Sequence, residues 1–133
     1  MSIKTQKSNS RIASFVAVIA MMISLGAGLS AAQAGDEKSR ETMALELIAA
    51  GALLVDVRTP KEYEAGHLDG AINIPHDQTA ERLAEYGADK TRSIVVYCRS
   101  GRRSGVATKV LTENGFTAVH NGGGYEGILA AGD

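Results

Sequence analysis

Four short runs rich in branched apolar residues, separated from one another by segments of helical character, constrain this chain more than any other feature. The runs cover 52–57, 71–74, 93–97 and 116–119. Each is compact and apolar on both sides, as strands buried on two faces are. Between and around them the pattern changes. Over 42–50, Met43, Leu47, Ile48 and neighbouring alanines predict a short amphipathic helix that stops at Gly51. Thr59-Pro60-Lys61-Glu62 is a helix start: Thr59 caps, Pro60 suits the first helical position and Glu62 falls three residues after the cap, with Gly66 ending the helix. A second full helix is predicted over 77–86, ending at Gly87. Another covers 104–114, with Val106, Ala107, Val110 and Leu111 on one stripe and Gly115 as its stop. A final helix starts at Tyr125. There is no hairpin signal, internal repeat or low-complexity tract. Strands joined by helices imply right-handed crossovers, so the expected fold is a single α/β domain, a mostly parallel sheet with helices on both faces.

The domain does not begin at residue 1. Lys4, Lys7 and Arg11 form a basic patch with no acidic residue before Asp36, an apolar run follows over 15–23, and small residues lead to Ala32-Gln33-Ala34. This order is that of a secretory signal peptide. The stretch 12–29 approaches membrane-spanning length, but Ser14, Ser24, Gly26 and Gly28 interrupt it. We therefore expect a signal peptide over 1–34, cleavage before Gly35, a domain over 35–133 and a periplasmic or otherwise exported protein. No cysteine lies near the cleavage site to carry a lipid anchor, and no membrane association is expected after cleavage.

The leader holds three of the 14 basic residues and none of the 15 acidic ones, which leaves 11 against 15, a mature charge of −4 with neutral histidines. A mildly acidic protein is no general binder of nucleic acid or anionic membranes. Any attraction for anions has to be local. The single cysteine, Cys98, cannot close an intramolecular disulfide. In an exported protein such a thiol is either buried and inert or present for its reactivity.

The residues after Cys98 favour reactivity. The run 93–97 leads directly into Cys98, and Arg99-Ser100-Gly101-Arg102-Arg103-Ser104 then turns into a helix. Ligands of open parallel sheets sit at the carboxyl ends of the strands. A tight glycine-containing loop leading to a helix N-terminus brings backbone N–H groups together around one point, which attracts an anion. With Sγ at that point, the anion is the thiolate itself, and no histidine base is needed. Three arginines within five residues suit a small oxyanion better than an inert core thiol.

Four stretches together resemble the rhodanese family over nearly all of the mature length: Leu54-Val55-Asp56-Val57-Arg58; Glu62 with Gly66-His67-Leu68-Asp69-Gly70-Ala71-Ile72-Asn73-Ile74-Pro75; Tyr97-Cys98-Arg99-Ser100-Gly101-Arg102-Arg103-Ser104; and Gly123-Gly124. With the leader, the likeness is to small periplasmic single-domain members. The resemblance implies a sulfurtransferase in which Cys98 takes a sulfur from thiosulfate or a similar small anionic donor, holds it as a persulfide and passes it to cyanide or a thiol. It implies no cofactor. The amides of residues 99–103 would cradle the sulfur, while Arg99, Arg102 and Arg103, the last closing a six-residue loop, would orient the donor. Ile128 stands where many members carry tryptophan, and 36–42 is too polar to show the short strand with which the family opens.

Other candidates carry less. Asp56 and Arg58 read as a buried ion pair or loop-holding hydrogen bonds, and His67 as structural. His67, His76 and His120 share no metal-ligand spacing, so no metal site is expected. Gly122–124 reads as a second wall of the pocket. Two alternatives remain: a non-catalytic binding or sulfur-carrier module on the same fold, and a phosphatase or arsenate reductase. Against the latter, only four residues separate Cys98 from Arg103, whereas the resembling phosphatases place five there to encircle phosphate.

Overall fold

The structure is a computed structural model that describes residues 37–133; the leader expected over 1–34 lies outside them. Among the described residues the order is α1 (Arg40–Ala49), β1 (Leu53–Asp56), α2 (Pro60–Ala65), β2 (Ile72–Asn73), two 3-10 turns (His76–Gln78 and Leu83–Tyr86), β3 (Ile94–Cys98), α3 (Arg102–Glu113), β4 (Val119–Gly124) and α4 (Tyr125–Gly132). The strands form one sheet in the order β2-β1-β3-β4, every pair parallel. The expected α/β architecture is what forms.

Alternation along β3 sets the two cores, because successive side chains of a strand point to opposite faces. Ile94, Val96 and Cys98 join Val55, Val57, Ile74, Ala107 and Leu111 on the α3 face. Val95 and Tyr97 join Ala44, Leu54, Leu68, Ala71 and Ile128 on the face covered by α1 and α4. All five β3 residues are buried. Cys98 thus points toward α3, and the carboxyl ends of β1 and β3 lie side by side through the Asp56–Tyr97 pairing.

The local signals work as expected at α2. The Thr59 side chain accepts from the Glu62 N–H, and the Glu62 side chain reaches back to the Thr59 N–H. Three expectations need correction. The segment 77–86 is no α-helix. It makes two 3-10 turns, with Arg82 outside the helical region at φ −115°, ψ 27°. The Arg82 side chain ties back to Gln78 Oε1 and, at 3.4 Å, to Asn73 O, so anchoring to β2 replaces a continuous helical ladder. The last strand is displaced: it runs over Val119–Gly124 and not over 116–119. Its glycines look like loop, yet Gly124 pairs with Cys98. The helix after the Cys98 loop starts at Arg102, two residues before the position expected. Residues 37–39 form no strand. No described helix is long and apolar enough to cross a membrane.

Ile128, in the position expected of tryptophan, is fully buried and anchors α4 to the sheet. Ile128→Ala should lower the unfolding free energy by about 2–5 kcal/mol, read as a shifted urea midpoint with an unchanged slope.

Candidate active site

The site is built where β3 ends. Pairing between β3 and β4 is irregular between Val96 and Cys98, and the chain then turns through Arg99, Ser100 and Gly101 into α3. Gly101 has φ 96°, a left-handed conformation that glycine adopts without strain. That conformation aims its N–H back at Cys98 Sγ, 2.9 Å away. Ser104 Oγ lies 3.4 Å from the sulfur, and the backbone N–H groups of Ser100 and Ser104 are near enough to favour its anion.

Cys98 is fully buried, and burial by itself pushes its thiol up. The Ser104 hydroxyl and the N–H groups of Ser104, Ser100 and Gly101 outweigh burial and hold the thiol below its ordinary 9.0. Of the stretch 99–103, the Gly101 N–H is the amide hydrogen-bonded to the sulfur.

The three arginines have separate fates. Arg99 lines a cavity of about 300 Å³ together with Arg58, Glu62, Ala65, Tyr125 and Glu126. Arg102 is exposed and does not line it. Arg103 makes a two-pronged pair with Glu62, Nη1 to Oε1 at 2.7 Å and Nη2 to Oε2 at 3.0 Å. That bond is the main cause holding Glu62 down at about 2. Ser100 contributes backbone alone: its N–H faces the sulfur and its carbonyl accepts from Arg40 Nη2 at 3.2 Å. Cys98 does not line the cavity; the sulfur lies beneath the loop, and the neighbouring Arg99 reaches the opening.

Asp56 and Arg58 form the buried ion pair expected of them, 2.6 Å between Nη2 and Oδ2. Arg58 also donates to Gly66 O and stacks over Tyr125, 4.6 Å from the ring centre, so one face of a structural arginine reaches the cavity. His67 bonds Tyr63 O through Nδ1 and stacks on the Tyr63 ring. Gly122–124 backs the loop and does not wall the cavity: a Cβ on Gly124 would collide with the Arg99 carbonyl oxygen. Sequence reasoning misses Ser104, Tyr125, Glu126 and Asn121. Glu62 is readable as a capping residue; its second partner, 41 residues along the chain, leaves no local signal. Among the described residues no group of three or more histidine, cysteine, aspartate or glutamate side chains is placed to hold a metal ion.

The profile of the rhodanese-like domain family matches residues 40–131. The chain belongs to the rhodanese family. Thiosulfate sulfurtransferase PspE of Escherichia coli is 46% identical to it over 74 residues, covering 56% of this chain and 71% of PspE. The chloroplastic thiosulfate sulfurtransferase 16 of Arabidopsis thaliana is 38% identical over 97 residues, covering 63% of this chain and 79% of the plant protein. Among solved structures, a rhodanese from E. coli superposes with a TM-score of 0.56 at 44% identity, over 59% of this chain and 92% of its own.

The Glu62–Arg103 pair makes stability depend on pH in a rhodanese built this way. Glu62 falls from 4.5 when unfolded to about 2 when folded, so its contribution is complete above pH 4.5 and is lost as pH falls through 2. Glu62→Gln should be less stable than the parent at neutral pH, and the gap should close between those two values in urea unfolding series.

Proposed function

We propose that Cys98 is the sulfur carrier of this sulfurtransferase. The single observation that supports the reading best is a buried Sγ that accepts from the Gly101 N–H at 2.9 Å with the Ser104 hydroxyl 3.4 Å away. The thiolate attacks the outer sulfur of thiosulfate. The S–S bond of the donor breaks, sulfite leaves with the bonding pair, and Cys98 keeps the outer sulfur as an anionic persulfide. Cyanide or a thiolate then attacks that outer sulfur, and the Cys98 thiolate leaves. Each half is a displacement at sulfur, and the sequence is two-step covalent catalysis with ping-pong kinetics. The loop amides stabilise the anion in both resting states, since they are fixed dipoles that need no reorganisation. Arg99 and the cavity-lining edge of Arg58 attract the sulfonate end of the donor. Arg103 is a lesser contributor, its charge balanced by Glu62.

Cys98→Ala should abolish thiosulfate:cyanide transfer and leave the protein folded. Intact mass of the parent after thiosulfate treatment should show one added sulfur, absent from the variant, and aryl phosphates should not be hydrolysed by either. A variant that still turns over, or robust phosphatase activity, contradicts the assignment.

We also propose that the reaction takes place outside the cytoplasm, which the basic, apolar and Ala32-Gln33-Ala34 order of the leader supports. N-terminal sequencing of the exported protein should begin at Gly35; full-length chain held in the membrane fraction would overturn the proposal.

A further inference from the structure

Ser104 behaves unlike the other hydroxyl residues of α3. Thr108 and Thr112 each bond back to the carbonyl four residues earlier, Ser104 O and Thr108 O, both at 2.8 Å. This is the usual habit of a hydroxyl inside a helix. The Ser104 hydroxyl instead crosses to β4 and donates to Asn121 Oδ1 at 2.7 Å, which leaves its oxygen beside Cys98 Sγ. The direction of that bond is fixed by the neighbours of Asn121. Its Nδ2 donates to Gly101 O at 3.0 Å and its Oδ1 accepts from the Gly123 N–H at 3.0 Å. A flipped carboxamide would set donor against donor at Gly123 and acceptor against acceptor at Gly101.

One carboxamide therefore holds two of the groups that touch the sulfur, Ser104 through its hydroxyl and Gly101 through its carbonyl. We propose that Asn121 is a positioning residue for sulfur transfer: it turns the Ser104 hydroxyl out of its own helix toward Cys98 and fixes Gly101 behind the loop. The arrangement serves both forms of the cysteine. With a thiol, the Ser104 hydrogen rests on Asn121 Oδ1 and the Ser104 oxygen accepts from S–H. With a thiolate or persulfide anion, the hydrogen swings to sulfur, and Asn121 Oδ1 keeps the Gly123 N–H. Without Asn121, the carbonyl of Gly101, the cap residue three positions before Ser104, loses a donor and becomes the natural acceptor for the Ser104 hydroxyl, which then turns back along its own helix and away from the sulfur. The sulfur then loses a donor.

The inference rests on Cys98 being the reacting residue, but its test reads the thiol directly and needs no turnover. The pH profile of Cys98 alkylation by iodoacetamide is measured for the parent, Asn121→Leu, Ser104→Ala and the double variant. The loss of one hydrogen bond to a charged sulfur moves a thiol pKa by about one unit. Asn121→Leu should therefore raise the apparent thiol pKa by about one unit and slow alkylation about tenfold well below it. Ser104→Ala should do the same, and the double variant should fall clearly short of the sum, since Asn121 acts through Ser104. Should Asn121→Leu not fold, Asn121→Ala removes the same carboxamide without adding bulk. An unchanged pKa in the Asn121 variants, or full additivity in the double variant, overturns the proposal. Activity retained by Cys98→Ala would overturn the functional reading and leave this result standing.

Discussion

The close approach of β4 to the Cys98 loop is the constraint on which the rest of the site depends. Cys98 pairs with Gly124 at the end of the sheet, and the backbone there runs so near that any side chain on Gly124 would strike the Arg99 carbonyl. Two residues earlier, a Cβ on Gly122 would stand 3.1 Å from Ala44 Cβ and 3.2 Å from Ile128 Cδ1 and Val95 Cγ1. The glycines let one strand serve as backing for the loop and as floor for α1 and α4. Because β4 lies flush against the loop, Asn121 reaches Gly101 and Ser104, and Tyr125, the first residue past the strand, meets Arg58 and lines the cavity. A larger residue at Gly124 would push the Cys98 loop off β4, and one at Gly122 would press on Ala44 of α1 and Ile128 of α4.

Charge is distributed with similar economy. Arg58 pairs with buried Asp56 and Arg103 with half-buried Glu62. Breaking a buried pair typically costs about 3–5 kcal/mol, whereas an exposed pair is worth about 1 kcal/mol or less. The Asp56–Arg58 pair is therefore first of all a structural element, holding the end of β1 to Gly66 past α2 through the Gly66 carbonyl. What remains for an anion is the outer face of Arg58 and the side chain of Arg99, opposed by Glu62 and Glu126 in the same cavity. A site so balanced draws a small anion without holding it tightly, which suits a reaction that must release sulfite after every donor step.

How much of this could be read from the sequence depends on how local each cause is. β1 and β3 are legible because both faces of each strand are buried, so the runs are apolar but for the paired carboxylate of Asp56 at the end of β1. The α2 capping box is legible because both partners lie within three residues. The glycines of β4 mislead, because in isolation they mean flexibility, while in place they mean contact with another backbone. The segment 77–86 misleads for the same reason: Arg82 answers to Asn73 and not to its own turn. At the site, Cys98 and its arginine-rich loop stand out by composition. Ser104 and Asn121, 17 residues apart, are ordinary polar residues until the β3–β4 pairing brings them together.

The same pairing explains how a buried thiol is acidified without a charged partner. The first N–H groups of a helix have no acceptor within it and look for one outside. Helix α3 has glycine at its cap, no capping side chain and no acidic residue in its first turn. Cys98 Sγ takes the place of the missing cap, accepting from the Gly101 N–H with the Ser104 hydroxyl of that first turn beside it. A cationic base would itself have to be stripped of water to reach the sulfur, a penalty of several kcal/mol per ion. The amides are already there, and unpaired they would be a cost to the fold. Acidity of the cysteine and stability of the helix start thus rest on the same few hydrogen bonds. A cap is worth about 1 kcal/mol, far less than the buried core of β3. The helix start can therefore adjust to a change of charge at the sulfur while the strand that carries Cys98 stays fixed.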